Sequence, residues 1–199
     1  MLVSGRGSNM ASLLEAAAEP GYPAAIVLVL SNRPGAGGLA RAEAAGVPTA
    51  LVDHKAFPDR DSFEHALDGV LREAGAEIIC LAGFMRVFTP AFVERWTGRM
   101  LNIHPSLLPL FKGLDTHARA LAAGVRVHGC TVHYVVPELD SGPIVAQAAV
   151  PVRWDDTEAT LAARVLEAEH RLYPQALAAV AAGRIRLDGD RAVEVTERD

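Results

Sequence analysis

Three features of this sequence predict an α/β fold with a mostly parallel, mixed central sheet. Short apolar runs alternate with amphipathic, helix-spaced stretches through the N-terminal half. Strands of a parallel sheet are covered by crossover helices on both faces, so they read as such runs. Two long strand-like segments then follow each other across a short connection, Pro137 to Gly142, as antiparallel neighbours do. Lastly, residues 157–182 place Leu161, Val165, Ala168 and Leu172 on one helical face.

In chain order, LVS (2–4) is the first strand, followed by a glycine turn and a helix carrying Met10, Leu13, Leu14 and Ala17 on one face. AAIVLVLS (24–31) is a continuous apolar run, ended by Gly/Pro punctuation before the Ala-rich stretch 38–45. PTALV (48–52), a helix over about 60–74, and EIICLAG (77–83) continue the alternation. Residues 99–103 follow as a strand, and RVHGCTVHYVV and GPIVAQAAVPV complete the sheet. Pro174 lacks an N–H and is expected to kink or break the long helix. RIRLDGDRAVEV predicts a small hairpin around Asp-Gly-Asp.

A chain of 199 residues is long enough for one domain with a substantial core. Its net charge of -5 lacks the basic stripe of a duplex-binding protein, so no nucleic-acid partner is expected. No apolar run is long enough to span a bilayer and no signal segment is evident, so no membrane partner and a cytoplasmic location are expected. Cys80 and Cys130 each fall in a strand, away from any CxxC spacing. A disulfide is open in principle, but two core thiols are the expectation.

Four loops at strand ends carry residues suited to chemistry. SGRGSN (4–9) follows a strand and opens a helix, where free N–H groups and the helix dipole face an anion. It lacks the third glycine of a dinucleotide fingerprint and the Gly-Lys-Ser/Thr of a P-loop. A tight turn capped by Ser8 explains the same residues equally well. LAGFMRVFTP (81–90) is more apolar than a solvated loop and holds Arg86 among Phe84, Met85, Val87 and Phe88. It is either a loop tucked into the core around a snorkelling arginine or a flat apolar slot for a ring.

MLNIHPSLLP places Asn102 and His104 at the same parity near a strand's carboxyl end. An amide donor beside an imidazolium suits a tetrahedral oxyanion, although a lone histidine is more often structural. The acidic loop PELDSGP (137–143) offers a carboxylate, Asp140, that would favour the imidazolium if it lay beside His104. His128 and His133 occur in the strand before it; no HExxH or similar spacing is present, and no metal is expected.

Taken together, SGRGSN, LAGFMRVF, NIHPSLLPLFKG, HGCTVHYVVPELDSGPI and EAEHRLYP resemble the formyltransferase family that uses 10-formyltetrahydrofolate. The resemblance runs from residue 4 to about 187 and implies a Rossmann-like three-layer fold. It implies one formyltransferase domain over 1–199: a phosphate-binding half (1–98), a catalytic and folate-binding half (99–187) and a tail (188–199). It further implies transfer of the formyl group of 10-formyltetrahydrofolate, without a metal, to the amine of 5'-phosphoribosylglycinamide in purine (IMP) biosynthesis. Small molecules are then the partners, and the protein is a monomer or homodimer.

Residue by residue, the resemblance makes Asn102, His104 and Asp140 the catalytic trio, with His133 in support. Gly7, Ser8 and Asn9 match the segment that holds the substrate phosphate, and Glu169 and Pro105 lie on the amine substrate's side. Met85, Arg86, Val87 and Phe88 match the folate loop, Arg60 a further folate-side arginine, and Asn102 also faces the folate. Val136, Pro137, Glu138 and Leu139 would close over the pteridine ring together with Asp140.

Some positions depart from the family pattern. The first strand is several residues shorter than usual, which implies a less rigid phosphate turn, and LDTH (114–117) and Leu166 stand where some relatives carry polar residues. A formyltetrahydrofolate hydrolase would share the trio but usually carries an N-terminal regulatory domain. Transfer RNA formyltransferases add a basic C-terminal domain. An amino-sugar formyltransferase fits SGRGSN and EAEHRLYP less well. From other classes, a folate- or nucleotide-binding module would keep the trio only by coincidence. A nicotinamide oxidoreductase lacks its glycine and acidic positions.

Overall fold

The computed structural model describes residues 1–195; positions 196–199, the end of the expected tail, lie outside the described residues. Strands β1 (Leu2–Val3), β2 (Val29–Ser31), β3 (Thr49–Leu51), β4 (Ile79–Leu81) and β5 (Met100–His104) are parallel, in spatial order β3-β2-β1-β4-β5. β6 (Val127–Tyr134) and β7 (Ile144–Pro151) extend the sheet antiparallel, making seven strands of mixed direction. β8 (Ile185–Asp188) and β9 (Arg191–Glu194) form the separate C-terminal hairpin, turning at Gly189 and Asp190.

Helices α1 (Ser8–Ala18), α2 (Gly37–Ala44), α3 (Arg60–Glu73), α4 (Pro90–Arg95), α5 (Thr116–Ala122) and α6 (Glu158–Ala181) cover both faces. The strand alternation shows which face each covers. Val3, Val29, Cys80, Leu101 and Ile103 point into a core shared with Met10, Leu13, Ala42, Val165 and Tyr173 of α1, α2 and α6. Their neighbours Leu2, Leu30, Ile79, Leu81 and Met100 point to the other face, against Phe63, Leu67 and Leu71 of α3 and Phe92, Val93 and Trp96 in and after α4. Cys80 and Cys130 are buried free thiols, as expected.

Three local expectations need correction. The apolar run 24–31 forms a strand only over Val29–Ser31, because its short neighbours β1 and β3 pair with those residues alone; before them, among the described residues, only the Leu28 carbonyl is bonded, to the Met1 amine. Ser8 is not the cap of α1. Gly7 is the N-cap, in the left-handed region at φ 70°, and no side chain caps the helix. A Cβ at Gly7 would lie 2.9 Å from the Gly38 Cα, so glycine is required for both its φ and its lack of bulk. Finally, the break expected at Pro174 does not occur, and α6 continues through it. Tyr173, Ala176 and Leu177 around it are buried, and the Tyr173 hydroxyl donates to the Leu81 and Leu101 carbonyls, so packing holds the helix across the missing bond.

Strand order reverses at β1 and β4, on either side of which the chain leaves in opposite directions. Ligands of open α/β sheets bind in the crevice at that point. The loops after β1, β4 and β5 all converge there.

Candidate active site

Asn102 and His104 project from the carboxyl end of β5 on the face opposite Leu101 and Ile103. The turn after β5 is fixed from below. Ser106 donates to the Leu110 carbonyl, and Thr131 of β6 donates to the Ser106 carbonyl and accepts from Leu108 N–H. The His104 Nε2 N–H meets the Phe111 carbonyl at 3.0 Å, and Nδ1 stands 3.4 Å from Asp140 Oδ2. The same Asp140 oxygen accepts from Gly113 N–H at 2.8 Å. Both side chains are buried.

Asp140 reaches His104 because its loop is pinched at the base. Tyr134 N–H donates to the Pro143 carbonyl, and a Cβ on Gly142 would fall 1.7 Å from the Tyr134 oxygen. Only glycine passes there, and Asp140 itself takes a left-handed φ of 49°. His133 lies opposite Asn102 in the β5–β6 register. Its Nδ1 faces the Tyr134 carbonyl at 2.9 Å, and its Nε2 faces Asn102 Nδ2 at 3.2 Å. Burial pushes the His133 pKa below that of an exposed histidine, against the opposing pull of the Tyr134 carbonyl and Asp140. The neutral ring therefore carries its proton on Nδ1 and accepts one amide N–H of Asn102 on Nε2. That contact fixes which way the amide points.

The loop after β4 supplies an apolar wall. Phe88 stacks between Phe84 at 5.3 Å and Phe92 at 4.6 Å, while Met85 and Val87 stay exposed at the cavity. The Arg86 guanidinium sits 5.4 Å over the Phe63 ring, and its buried Nε has no partner among the described residues. The side chain is thus partly satisfied by packing and keeps a donor in reserve. Met85 N–H is held by the Ser4 hydroxyl, which itself donates to Asn32 Oδ1, so the first two loops are tied together.

On the far side, Asn9 Nδ2 donates to Glu169 Oε2 at 2.8 Å, joining α1 to α6. Burial raises the Glu169 carboxyl to about 7, with the Asn9 bond opposing the shift. Asn9 Oδ1 is buried without a partner among the described residues.

These groups line one cavity of about 760 Å³, within the ordinary range for a small-molecule site. Of the residues singled out in the sequence, it is lined by Asn9, the segment 85–88, Asn102, His104, Pro105 and His133. Phe84, Val136, Pro137, Leu139, Asp140 and Glu169 line it as well. Gly7 and Ser8 lie at the turn but not on the lining, and Arg60 is exposed in the first turn of α3, outside it. The exposed Glu138 turns toward Lys112 Nζ, 3.7 Å away. Sequence reading missed Gly113, whose backbone N–H holds Asp140, and Val135 on the lining; Leu114, His117 and Leu166, noted above as departures from the family pattern, line it too. The FKG following the His-Pro turn was the available signal for Gly113. Among the described residues no group of three or more His, Cys, Asp or Glu side chains could hold a metal ion.

Residues 1–177 match the formyl transferase family. The trifunctional purine biosynthetic protein adenosine-3 of Gallus gallus is 52% identical over 187 residues, which are 94% of this chain but 19% of that protein. The chain thus spans about a fifth of the length of such relatives. The phosphoribosylglycinamide formyltransferase of Escherichia coli K12 is 41% identical, with 96% of this chain and 93% of that protein covered. Glycinamide ribonucleotide transformylase 1 from Symbiobacterium toebii superposes with a TM-score of 0.94 at 43% identity, over 98% of this chain and 92% of its own. With that match over most of its length, the chain belongs to the formyl transferase family.

Proposed function

We propose that the chain transfers the formyl group of 10-formyltetrahydrofolate to the amine of 5'-phosphoribosylglycinamide, a step of purine (IMP) biosynthesis. The observation that carries this reading is the meeting of Asn102, His104 and Asp140 in one cavity between an apolar loop and the Asn9–Glu169 pair. Two substrates can be held there on opposite sides of the trio. The folate ring lies against residues 85–88 and the loop 136–140, with Arg86 and Arg60 toward its glutamate. The phosphate sits at the turn 7–9, with Glu169 and Pro105 beside the rest of the acceptor.

The amine attacks the formyl carbon, and the carbonyl oxygen gains charge between the free amide N–H of Asn102 and the His104 imidazolium. Both His104 nitrogens face acceptors, the Phe111 carbonyl and Asp140, so the imidazolium finds partners for each N–H. The attacking amine gives up one proton through water beside Asp140, and the folate nitrogen receives one by the same route, so His104 ends in the state in which it began. The bond from the formyl carbon to the folate nitrogen then breaks, and that nitrogen leaves protonated as tetrahydrofolate. No residue is acylated, so holding the two substrates together supplies much of the acceleration. The chain acts as one domain in the cytoplasm, as a monomer or homodimer, on small molecules alone.

The test is incubation with 10-formyltetrahydrofolate, with and without phosphoribosylglycinamide, following tetrahydrofolate release and the acceptor's mass. Release that requires the acceptor, with a formylated product, supports the transferase. Release without it makes the protein a hydrolase. His104→Ala and Asp140→Ala are each expected to lower kcat by a factor on the order of 10²–10⁴ while weakening folate binding little. A normal rate in either variant sinks the assignment.

A further inference from the structure

Glu64 is 1% exposed in α3 and does not line the cavity, yet both of its oxygens are spent on one residue outside its own helix. Oε1 accepts the Thr89 N–H at 2.8 Å, and Oε2 accepts the Thr89 hydroxyl proton. Thr89 in turn caps α4, its hydroxyl oxygen accepting from Phe92 N–H at 3.3 Å. A helix cap needs only that hydroxyl oxygen. Removing a carboxylate from water to hold the cap itself is costly, so stability of a six-residue helix is a poor reason for it.

What the pair fixes is the end of the co-substrate loop. Thr89 follows Phe88, whose ring is stacked between Phe84 and Phe92 on the cavity wall. Two residues before Phe88, the Arg86 guanidinium lies over Phe63, the neighbour of Glu64 in α3. Two consecutive residues of α3 therefore grip the loop on both sides of Val87 and Phe88. We infer that Glu64 is a positioning residue for the co-substrate slot: through Thr89 it sets the Phe84–Phe88–Phe92 ring stack and the place of Arg86. This rests on the folate-dependent reading above.

Glu64→Gln preserves shape but turns an N–H₂ toward one of the two Thr89 donors. It should raise the KM for 10-formyltetrahydrofolate, and the calorimetric Kd for tetrahydrofolate, about tenfold, the worth of one such hydrogen bond. The KM for phosphoribosylglycinamide and kcat should stay unchanged. Thr89→Val should match it, Thr89→Ser should behave as wild type, and the double variant should be no worse than either single, because the two groups form one contact. Should Glu64→Gln unfold, as judged by its thermal midpoint, the Thr89 pair carries the test alone. Unchanged folate constants in folded variants, or kcat and both KM values moving together, would overturn the inference. Wild-type protein that binds tetrahydrofolate without transferring formyl would sink the transferase reading alone, since the Kd comparison still reports on Glu64. If it binds none, both fall.

Discussion

Glu169 is the residue whose chemistry depends most on its surroundings. Its carboxyl is raised from 4.5 to about 7, first by burial, with Asn9 pulling the other way. The folded chain therefore keeps a proton there that the unfolded chain releases. Its neutral form is fully accommodated below about pH 4.5, and stability is lost as pH rises from there to about 7. Glu169→Gln should flatten that part of the profile, as denaturant midpoints measured across the range would show; an unchanged slope would mean the group is ionised in the free protein. Residues such as Asn102 and His104 were legible in the sequence because strand parity alone puts them on one side. Glu64 was not. On an amphipathic helix it reads like its exposed neighbour Asp61, and its partner lies across a helix–loop contact that no spacing encodes.

Among the elements, α1 begins in a way that the sequence half discloses. SGRGSN announces a strand-to-helix turn, but the choice between Ser8 and Gly7 as cap depends on how closely α2 approaches, with Gly38 against Gly7. Gly7→Ala meets both an unfavourable φ and that contact, and should cost about 1–3 kcal/mol in chemical denaturation. The rate should fall as well, because Asn9 follows in the first turn. A variant as stable as wild type would show that the turn relaxes. The shortness of β2 had the same kind of cause. Of the apolar run 24–31 only Leu28 onward is buried, with Ala25 and Val27 exposed, and the strand begins where its neighbours offer partners. Pro174 shows local chemistry yielding to the packing around it.

Across the whole molecule, the site is held by links between loops far apart in sequence. Gly113 N–H to Asp140, Lys112 Nζ to Ser141 Oγ and Ser4 to Met85 N–H each tie two of them. Asp140→Ala should therefore do more than slow the reaction. Hydrogen exchange of residues 105–116 should speed up while β1, β4 and β5 keep their protection; exchange unchanged in that segment would confine Asp140 to chemistry. The mixed sheet was legible because parallel and antiparallel strands leave different sequence patterns. These ties were not, since a backbone N–H such as that of Gly113 has no side chain to announce it.

β5 is the last parallel strand and also the first to take an antiparallel partner. A nascent chain leaving the ribosome can therefore complete the turn after β1 and the apolar loop after β4 while the site is still incomplete. His104 has emerged by the end of β5, but Asp140 meets it only after the whole of β6 has been made and the chain has turned back at Gly142. Contacts that join distant segments are the slow ones to form. On the proposed function, catalytic competence then arrives late in biosynthesis, as a property of the finished sheet.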